Sequence, residues 1–139
     1  MKKHALTLIG VLSLLLAAGS AFAQTIDVKG DVPFNFIVNK ATLPAGQYEL
    51  KSLSGDGKTL TLRGPDGKPV GIFSSIRAES LKASEKTKLV FKRYGDRYFL
   101  SQIWVAGERA GCQLPISARE KELAMNSTSE RVVLRAELR

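Results

Sequence analysis

The side chains that most often carry enzyme chemistry are scarce in this sequence. Its 139 residues include one histidine, His4, and one cysteine, Cys112. Catalysis by a Ser-His or Cys-His pair, and the usual zinc sites, need more of these side chains than the chain supplies. We expect Cys112 to be a buried structural residue, because a reactive thiol needs an electropositive and partly exposed setting. The sequence therefore predicts no metal site, no cofactor and no histidine-based catalysis.

The motifs of acyl-transfer and nucleotide chemistry are also missing. The sequence contains no Gly-x-Ser-x-Gly elbow, no Ser-x-x-Lys pair and no phosphate-binding glycine loop. The pairs Asp56-Gly57 and Asp66-Gly67 lack the further acidic ligands of a calcium loop and are typical of hairpin turns. A hydrolase with two carboxylates stays open as an alternative, since glycoside hydrolysis requires only two acidic side chains across a cleft. We expect the protein not to be an enzyme.

Residue types that commonly bind ligands, aromatic and cationic side chains, are concentrated in residues 88–105. Two runs of β-branched and aromatic residues flank Gly95-Asp96, a pattern typical of a β-hairpin with a two-residue turn. This turn places Tyr94 opposite Arg97 and so fixes which side chains share a face. We expect this hairpin to be the central element of the fold.

The two faces of the hairpin differ in character. The face predicted to point into the core carries Leu89, Phe91, Arg93, Tyr98, Leu100, Gln102 and Trp104. The other face mixes cations with apolar side chains, and its candidate binding residues are Lys88, Lys92, Arg97, Phe99 and Ile103. Cations beside aromatic rings suit polyanions or sugar rings. The competing interpretation is that a helix covers this face, and the sequence leaves both open.

The first 23 residues are typical of a secretory signal peptide. Lys2 and Lys3 precede an apolar run that ends at Ala21-Phe22-Ala23, the small-residue pattern of a cleavage site. We expect cleavage before Gln24, and export of residues 24–139 as a single β domain to the periplasm or the extracellular space. No later apolar run reaches the 20 residues or so of a membrane-spanning helix.

The chain is moderately basic. The signal segment contains two of the 21 Lys and Arg residues and none of the 13 Asp and Glu residues, so the remainder carries a formal charge of +6. For an exported protein, the expected acidic partners are polymers and lipid headgroups of the cell envelope, and nucleic acid is not expected.

The rest of the chain predicts further short strands. Residues 25–39 alternate as two strands or one bent strand, with Pro33 at an edge or a bulge. The turn at 43–46 predicts a hairpin whose return strand is 47–53. Ser117 and Glu120 have the spacing of a capping box, so a helix should start there and run to about Met125. Ala118, Glu122 and Met125 share one side of it with Leu123 close by, a short apolar stripe that could cover one sheet edge. Six to eight short, mostly antiparallel strands and one short C-terminal helix describe an all-β sandwich or small barrel.

Several motifs resemble those of an uncharacterised family of small exported proteins common in acidobacterial genomes. They are Val32-Pro33-Phe34-Asn35-Phe36, Leu43-Pro44-Ala45-Gly46-Gln47-Tyr48, Lys88-Leu89-Val90-Phe91, Arg93-Tyr94-Gly95-Asp96, Tyr98-Phe99-Leu100-Ser101 and Arg119-Glu120-Lys121-Glu122-Leu123. The resemblance implies export, and it transfers no functional residues to this chain.

Together these observations predict a non-enzymatic exported domain that binds acidic or carbohydrate material of the envelope. The alternatives are a small barrel that carries an apolar ligand, as lipocalins do, and the carboxylate-based hydrolase. Bulky side chains such as Phe34, Phe36, Phe91 and Trp104 would more readily fill a core than line a cavity.

Overall fold

The computed structural model describes residues 26–53 and 58–138, which form two β-sheets and one short helix. The predicted signal peptide, residues 1–23, and the tip of the Asp56-Gly57 turn lie outside the described residues. The helix, α1, is Ala118–Asn126. The described strands are β1 (Asp27–Val32), β2 (Phe36–Val38), β3 (Ala41–Leu43), β4 (Gly46–Ser52), β5 (Thr59–Arg63), β6 (Pro69–Ser74), β7 (Ile76–Glu79), β8 (Lys88–Tyr94), β9 (Arg97–Trp104), β10 (Ala110–Gln113), β11 (Glu130–Arg135) and β12 (Glu137–Leu138).

The two sheets form a sandwich-like fold. The first sheet has the strand order β12-β1-β4-β5-β6. The second has the order β11-β8-β9-β10-β7, with β2 beside β9 and β3 beside β2. Apart from the parallel contact of β2 with β9, the pairings among the described strands are antiparallel. The predicted all-β, mostly antiparallel class is confirmed, and of the two predicted architectures the sandwich is the one formed.

The described strands outnumber the six to eight that were predicted, because the chain repeatedly changes sheet. It crosses at residues 33–35, at residues 44–45, at Ser75 and at Ala136, and each crossing splits an extended segment into two strands. Two segments therefore run along the edges of both sheets. We call residues 69–79 the β6–β7 edge and residues 130–138 the β11–β12 edge.

The predicted hairpin at residues 43–46 is wrong. Strand β4 pairs with β1 in the first sheet, whereas β3 pairs with β2 in the second. Pro44 has no N–H to donate to a strand ladder, and the corner is held instead by side chains. The Tyr48 hydroxyl donates to the Pro44 carbonyl at 2.6 Å, and Asn35 Oδ1 accepts from the Ala45 N–H at 3.1 Å. The turn is thus a corner between sheets.

The core lies between the sheets and is made of aliphatic and aromatic side chains. Its fully buried members are Val28, Phe36, Val38, Leu60, Leu62, Leu89, Phe91 and Ile103. Phe36 makes edge-to-face contacts with Tyr48 and Phe91, with ring centroids 4.9 and 5.6 Å apart. Such contacts stabilise a core beyond the area that they bury. These side chains occupy the space between the sheets.

The central hairpin forms at the predicted turn but contains a bulge. Tyr94 lies opposite Arg97, as predicted, and Gly95 has the positive φ, 64°, that the turn requires. Further along, Phe91 pairs with Leu100 but Val90 pairs with Gln102, so β9 has one extra residue. Every β9 residue beyond the bulge therefore changes face.

Helix α1 starts as the capping box predicts. The Ser117 side chain accepts a hydrogen bond from the Glu120 N–H at 3.2 Å. The packed side of the helix differs from the prediction. Glu120 is buried and Leu123 is half-buried, whereas Met125 is 84% exposed. The short apolar stripe was a weak guide because only one of its residues packs on the sheet.

Candidate functional site

The five predicted binding residues do not form one surface. Ile103 is fully buried in the main core, opposite Leu89, because the β9 bulge turns it inward. Phe99 is 2% exposed and packs with Ile37 and Tyr94 beneath Leu123 of helix α1. The prediction that Phe99 and Ile103 are available to a ligand is therefore wrong. The helix and the bulge together account for the error.

The three predicted cations have different surroundings. Lys88 is half-buried and lines an open cleft. Lys92 is half-buried and lies close enough to the Glu120 carboxylate to influence its pKa. Arg97 is exposed at the turn end of β9. Of these three cations, Lys88 is the one that lines the cleft described below.

This cleft, which we call the basic cleft, lies on the outer face of the second sheet. It has a volume of about 510 Å³. Its walls come from β8, β9, β11 and the loop of residues 80–87. The lining residues are Ser80, Lys82, Ala83, Ser84, Glu85, Lys86, Lys88, Trp104, Arg131 and Val133.

Positive charge dominates the basic cleft. Four of its lining residues, Lys82, Lys86, Lys88 and Arg131, are cationic, and Glu85 is the single carboxylate among them. The ion pairs measured in the described part of the chain, Arg77–Glu79 and Arg93–Glu130, include none of these four cations. A recess lined by one sign of charge raises the local concentration of counter-ions. The basic cleft is therefore suited to an anionic ligand.

Backbone hydrogen bonds fix the wall formed by residues 80–87. The Ser80 N–H donates to the Arg109 carbonyl at 2.9 Å, and the Ser84 N–H donates to the Glu108 carbonyl at 3.0 Å. The Gly107 N–H returns a bond to the Ser84 carbonyl at 2.8 Å. The Thr87 hydroxyl accepts from the Ala106 N–H at 3.0 Å. These bonds tie the loop to the turn between β9 and β10, so the cations lie on a positioned segment.

Trp104 packs closely within the cleft wall. The bulge places it on the outer face of β9, opposite Lys88, where it is 7% exposed. Its Nε1–H donates to Gln102 Oε1 at 3.0 Å. Gly111 leaves room for the ring, since a Cβ at that position would lie 2.7 Å from the indole. Little of the ring is free to stack on a ligand, so the cations are the main accessible feature of the cleft.

Strand pairing places like charges opposite each other beside the cleft. Lys88 lies opposite Arg135, and Lys92 lies opposite Arg131, on the outer face of β8 and β11. Like charges directly opposite in a sheet are destabilising. In the Lys92–Arg131 pair, the Glu120 carboxylate lies near Lys92 and offsets part of the repulsion. Lys88 and Arg135 thus face each other across the sheet as like charges.

Glu120 and Tyr94 form a second group of titratable side chains, under helix α1. Glu120 is 5% exposed, and Tyr94 Oη donates to its Oε2 at 3.4 Å. Burial raises the pKa of the Glu120 carboxyl, while Lys92 and the Tyr94 hydrogen bond oppose the rise. Burial, and then the Glu120 carboxylate, raise the pKa of Tyr94. This group joins the helix to the sheet and does not line the basic cleft.

Sequence reasoning missed Lys82, Lys86, Trp104 and Arg131. A signal for Trp104 was present, because strict alternation would have buried Gln102 and exposed Ile103. Burying an amide in place of an isoleucine is unfavourable, so the pattern itself favours an extra residue near Ser101. Arg131 had no such signal, since it joins the site through long-range strand pairing. The loop lysines directly precede Lys88, but nothing in their spacing indicated how the loop would lie against the sheet.

The remaining reactive side chain is not in a reactive setting. Cys112 is 3% exposed in β10, and burial raises the pKa of its thiol. A raised pKa lowers the thiolate fraction that reacts with electrophiles. Within residues 26–53 and 58–138, no three His, Cys, Asp or Glu side chains are close enough together to hold a metal ion.

Comparisons with protein-family models, with curated proteins and with solved structures found no match. Among the described residues, no helix is both long and apolar enough to cross a membrane.

Proposed function

We propose that the protein is an exported, non-enzymatic domain that binds acidic polymers of the cell envelope through the basic cleft. Export rests on the signal-peptide pattern of residues 1–23. The ligand is an anionic polysaccharide whose acidic groups contact Lys82, Lys86, Lys88 and Arg131.

The observation that carries this proposal is the set of four cations that line one recess with a single carboxylate. Lys88 also lies opposite Arg135 across the sheet, so a polyanion in the cleft would supply negative charge beside this like-charge pair. The loop cations Lys82 and Lys86 add charge to the same recess, and their segment is held by backbone bonds. A backbone that is already ordered need not be ordered on binding, which favours affinity.

The alternative functions have less support from the same geometry. An apolar carrier needs an internal cavity, whereas large side chains such as Phe36, Phe91 and Leu60 occupy the space between the sheets. A two-carboxylate hydrolase needs two acids facing a common cleft, whereas Glu85 is the single acid lining the basic cleft. The packing of Trp104 also favours recognition of charge over stacking on neutral sugar rings.

Binding to polygalacturonic acid, with dextran as the uncharged counterpart, tests the proposal. The purified protein should bind the acidic polymer and not dextran, and its affinity should fall as salt rises, because salt screens exposed charges. The double variant Lys88→Glu, Arg131→Glu should bind at least about tenfold more weakly, since each reversal replaces an attraction of about 1 kcal/mol or more by a repulsion.

The matched control is Lys40→Glu, Lys68→Glu, which changes the net charge equally at two exposed turn residues outside the cleft. It should bind nearly as well as the parent. Equal loss in the two double variants would mean that overall charge, not the basic cleft, governs binding. Equal affinity of the parent and the cleft variant would remove the cleft from the function. Binding to anionic lipid vesicles in place of the polysaccharide would assign the cleft to a different partner.

A further inference from the structure

The two edges of the sandwich differ in how they are protected against pairing with other strands. A strand at the edge of a sheet presents unpaired N–H and C=O groups, and proteins protect such edges with charges, prolines or bulges. The β11–β12 edge carries four charged residues, Glu130, Arg131, Arg135 and Glu137. It is protected in the usual way.

The β6–β7 edge lacks this protection over most of its length. Residues 69–76 include no charged side chain. Pro69 and the irregular register beside it protect only the start of β6, since the pairing with β5 becomes regular from Gly71. In the strand order of the described residues, β6 has a neighbour on one side only. Residues 71–74 therefore present an open, uncharged edge.

Apolar side chains are exposed along this same edge. Ile72 is 67% exposed, Ile76 is 57% exposed and Val70 is 39% exposed. Ile72 lies opposite Thr61, so it stands on the outer face of the first sheet, while its neighbours Gly71 and Phe73 face inward. Exposed β-branched side chains on an unprotected edge favour strand addition.

We propose that the β6–β7 edge is an interface between two copies of this chain, in which β6 pairs antiparallel with β6 of the second copy. A second copy fits because an antiparallel pair of identical strands about a two-fold axis is self-complementary. The axis passes beside Ile72, so that Ile72 lies opposite its own counterpart. This arrangement buries the more exposed of the two aliphatic side chains of β6 that face the solvent, Val70 and Ile72. The five-stranded sheet then continues through both copies.

Charge also favours this surface for contact between copies. Two copies of residues 24–139, each with a formal charge of +6, repel one another over most of their surface. The segment 69–76 is uncharged. The charges that flank it are Lys68 at its start and Arg77 at its end, and Arg77 forms an ion pair with Glu79 at 3.2 Å. Two copies can therefore approach along residues 69–76 without placing cations against cations within that segment. The area buried by one strand pair is small, so the association belongs to the weak, concentration-dependent class.

Sedimentation velocity over a concentration series tests the interface. The parent should shift from monomer towards dimer as concentration rises, and Ile72→Lys should stay monomeric at the same concentrations. Ile72 is mostly exposed, so the variant should melt as the parent does. Should Ile72→Lys fold poorly, Ser74→Lys makes the same test, because Ser74 is exposed on the same strand.

Cross-linking locates the contact, because the natural thiol, Cys112, is buried. Ile72→Cys treated with a short bifunctional maleimide should give a covalent dimer whose yield rises with concentration. The matched control is Val133→Cys, which is 48% exposed on the opposite edge and should give little dimer. A parent that stays monomeric over the whole series, or a yield from Ile72→Cys no higher than that from Val133→Cys, would overturn the proposal.

Discussion

The outer face of the second sheet is covered by a helix at one end and open to solvent at the other. At the turn end of the β8–β9 hairpin, helix α1 covers an apolar group formed by Ile37, Tyr94 and Phe99. At the other end, cations surround a cleft in which Lys88 meets no opposite charge across the sheet. One strand pair thus carries a structural region and an open region within a few residues.

The difference follows from what each end presents to the solvent. Covering aromatic rings on a sheet face with a helix is favourable, because it removes apolar surface from water. Burying an unpaired lysine or arginine is unfavourable, so an end rich in these residues is left open to solvent. The covered end contributes to stability, and the open end keeps its charge exposed to solvent, as the proposed binding function requires. Substitutions at the two ends should therefore separate stability from binding.

Phe99→Ala should have the largest effect, because the ring is buried between helix and sheet. Loss of a buried phenylalanine side chain typically costs about 3 kcal/mol in the free energy of unfolding. Urea denaturation monitored by circular dichroism measures this loss. At the open end, the comparable truncation Val133→Ala should change stability by no more than about 0.5 kcal/mol.

A small effect of Phe99→Ala would mean that helix α1 contributes little to the fold. The helix would then be a removable cover, and Phe99 would return as a candidate binding residue. Unchanged polysaccharide binding by a folded Phe99→Ala variant would instead keep the two ends separate.

Glu120→Gln should alter how stability depends on pH. Burial raises the pKa of Glu120 in the folded protein, so the folded state holds its proton to a higher pH than the unfolded state. The stabilisation from this group is complete below the unfolded pKa, near 4.3, and is lost as pH rises through the raised folded value. Each unit of the rise corresponds to about 1.4 kcal/mol.

The measurement is the free energy of unfolding from urea titrations between pH 4 and pH 8. The parent should lose stability relative to Glu120→Gln over this interval, because glutamine stays neutral and can still accept from Tyr94. The control is Glu122→Gln, which is exposed on the same helix and should follow the parent. Parallel curves for the parent and Glu120→Gln would show that the carboxylate is well solvated in the folded state.

Sequence reasoning succeeded where structure is local. The Gly95-Asp96 turn and the Ser117 cap depend on residues within a few positions of each other, and both form as predicted. The turn at residues 43–46 failed because its neighbours are chosen by long-range pairing. Alternation proposed strands there, but it could not say that β4 pairs with β1.

The candidate site shows the same limit more strongly. One extra residue in β9 exchanged the places of Ile103 and Trp104, which moved one predicted ligand contact into the core. The cations from residues 80–87 and from β11 meet Lys88 only after the chain has folded. The charge of the site was predictable, whereas its position depended on a bulge and on the arrangement of strands.

Arg135→Glu should have the smallest effect on stability, and its sign is the informative part. Arg135 lies opposite Lys88 on the exposed face, so the change replaces a like-charge pair by an opposite-charge pair. Such a pair contributes roughly 0.2–1 kcal/mol, and the variant should be slightly more stable than the parent. Arg135→Gln, which removes the repulsion without adding an attraction, should lie between them. Polysaccharide affinity should fall in both variants, and further in Arg135→Glu, because Lys88 gains a competing anion. A protein that becomes more stable as it binds more weakly would show that these cations are kept for a ligand, whereas a loss of stability would mean that Arg135 supports the sheet and that the open end is structural as well.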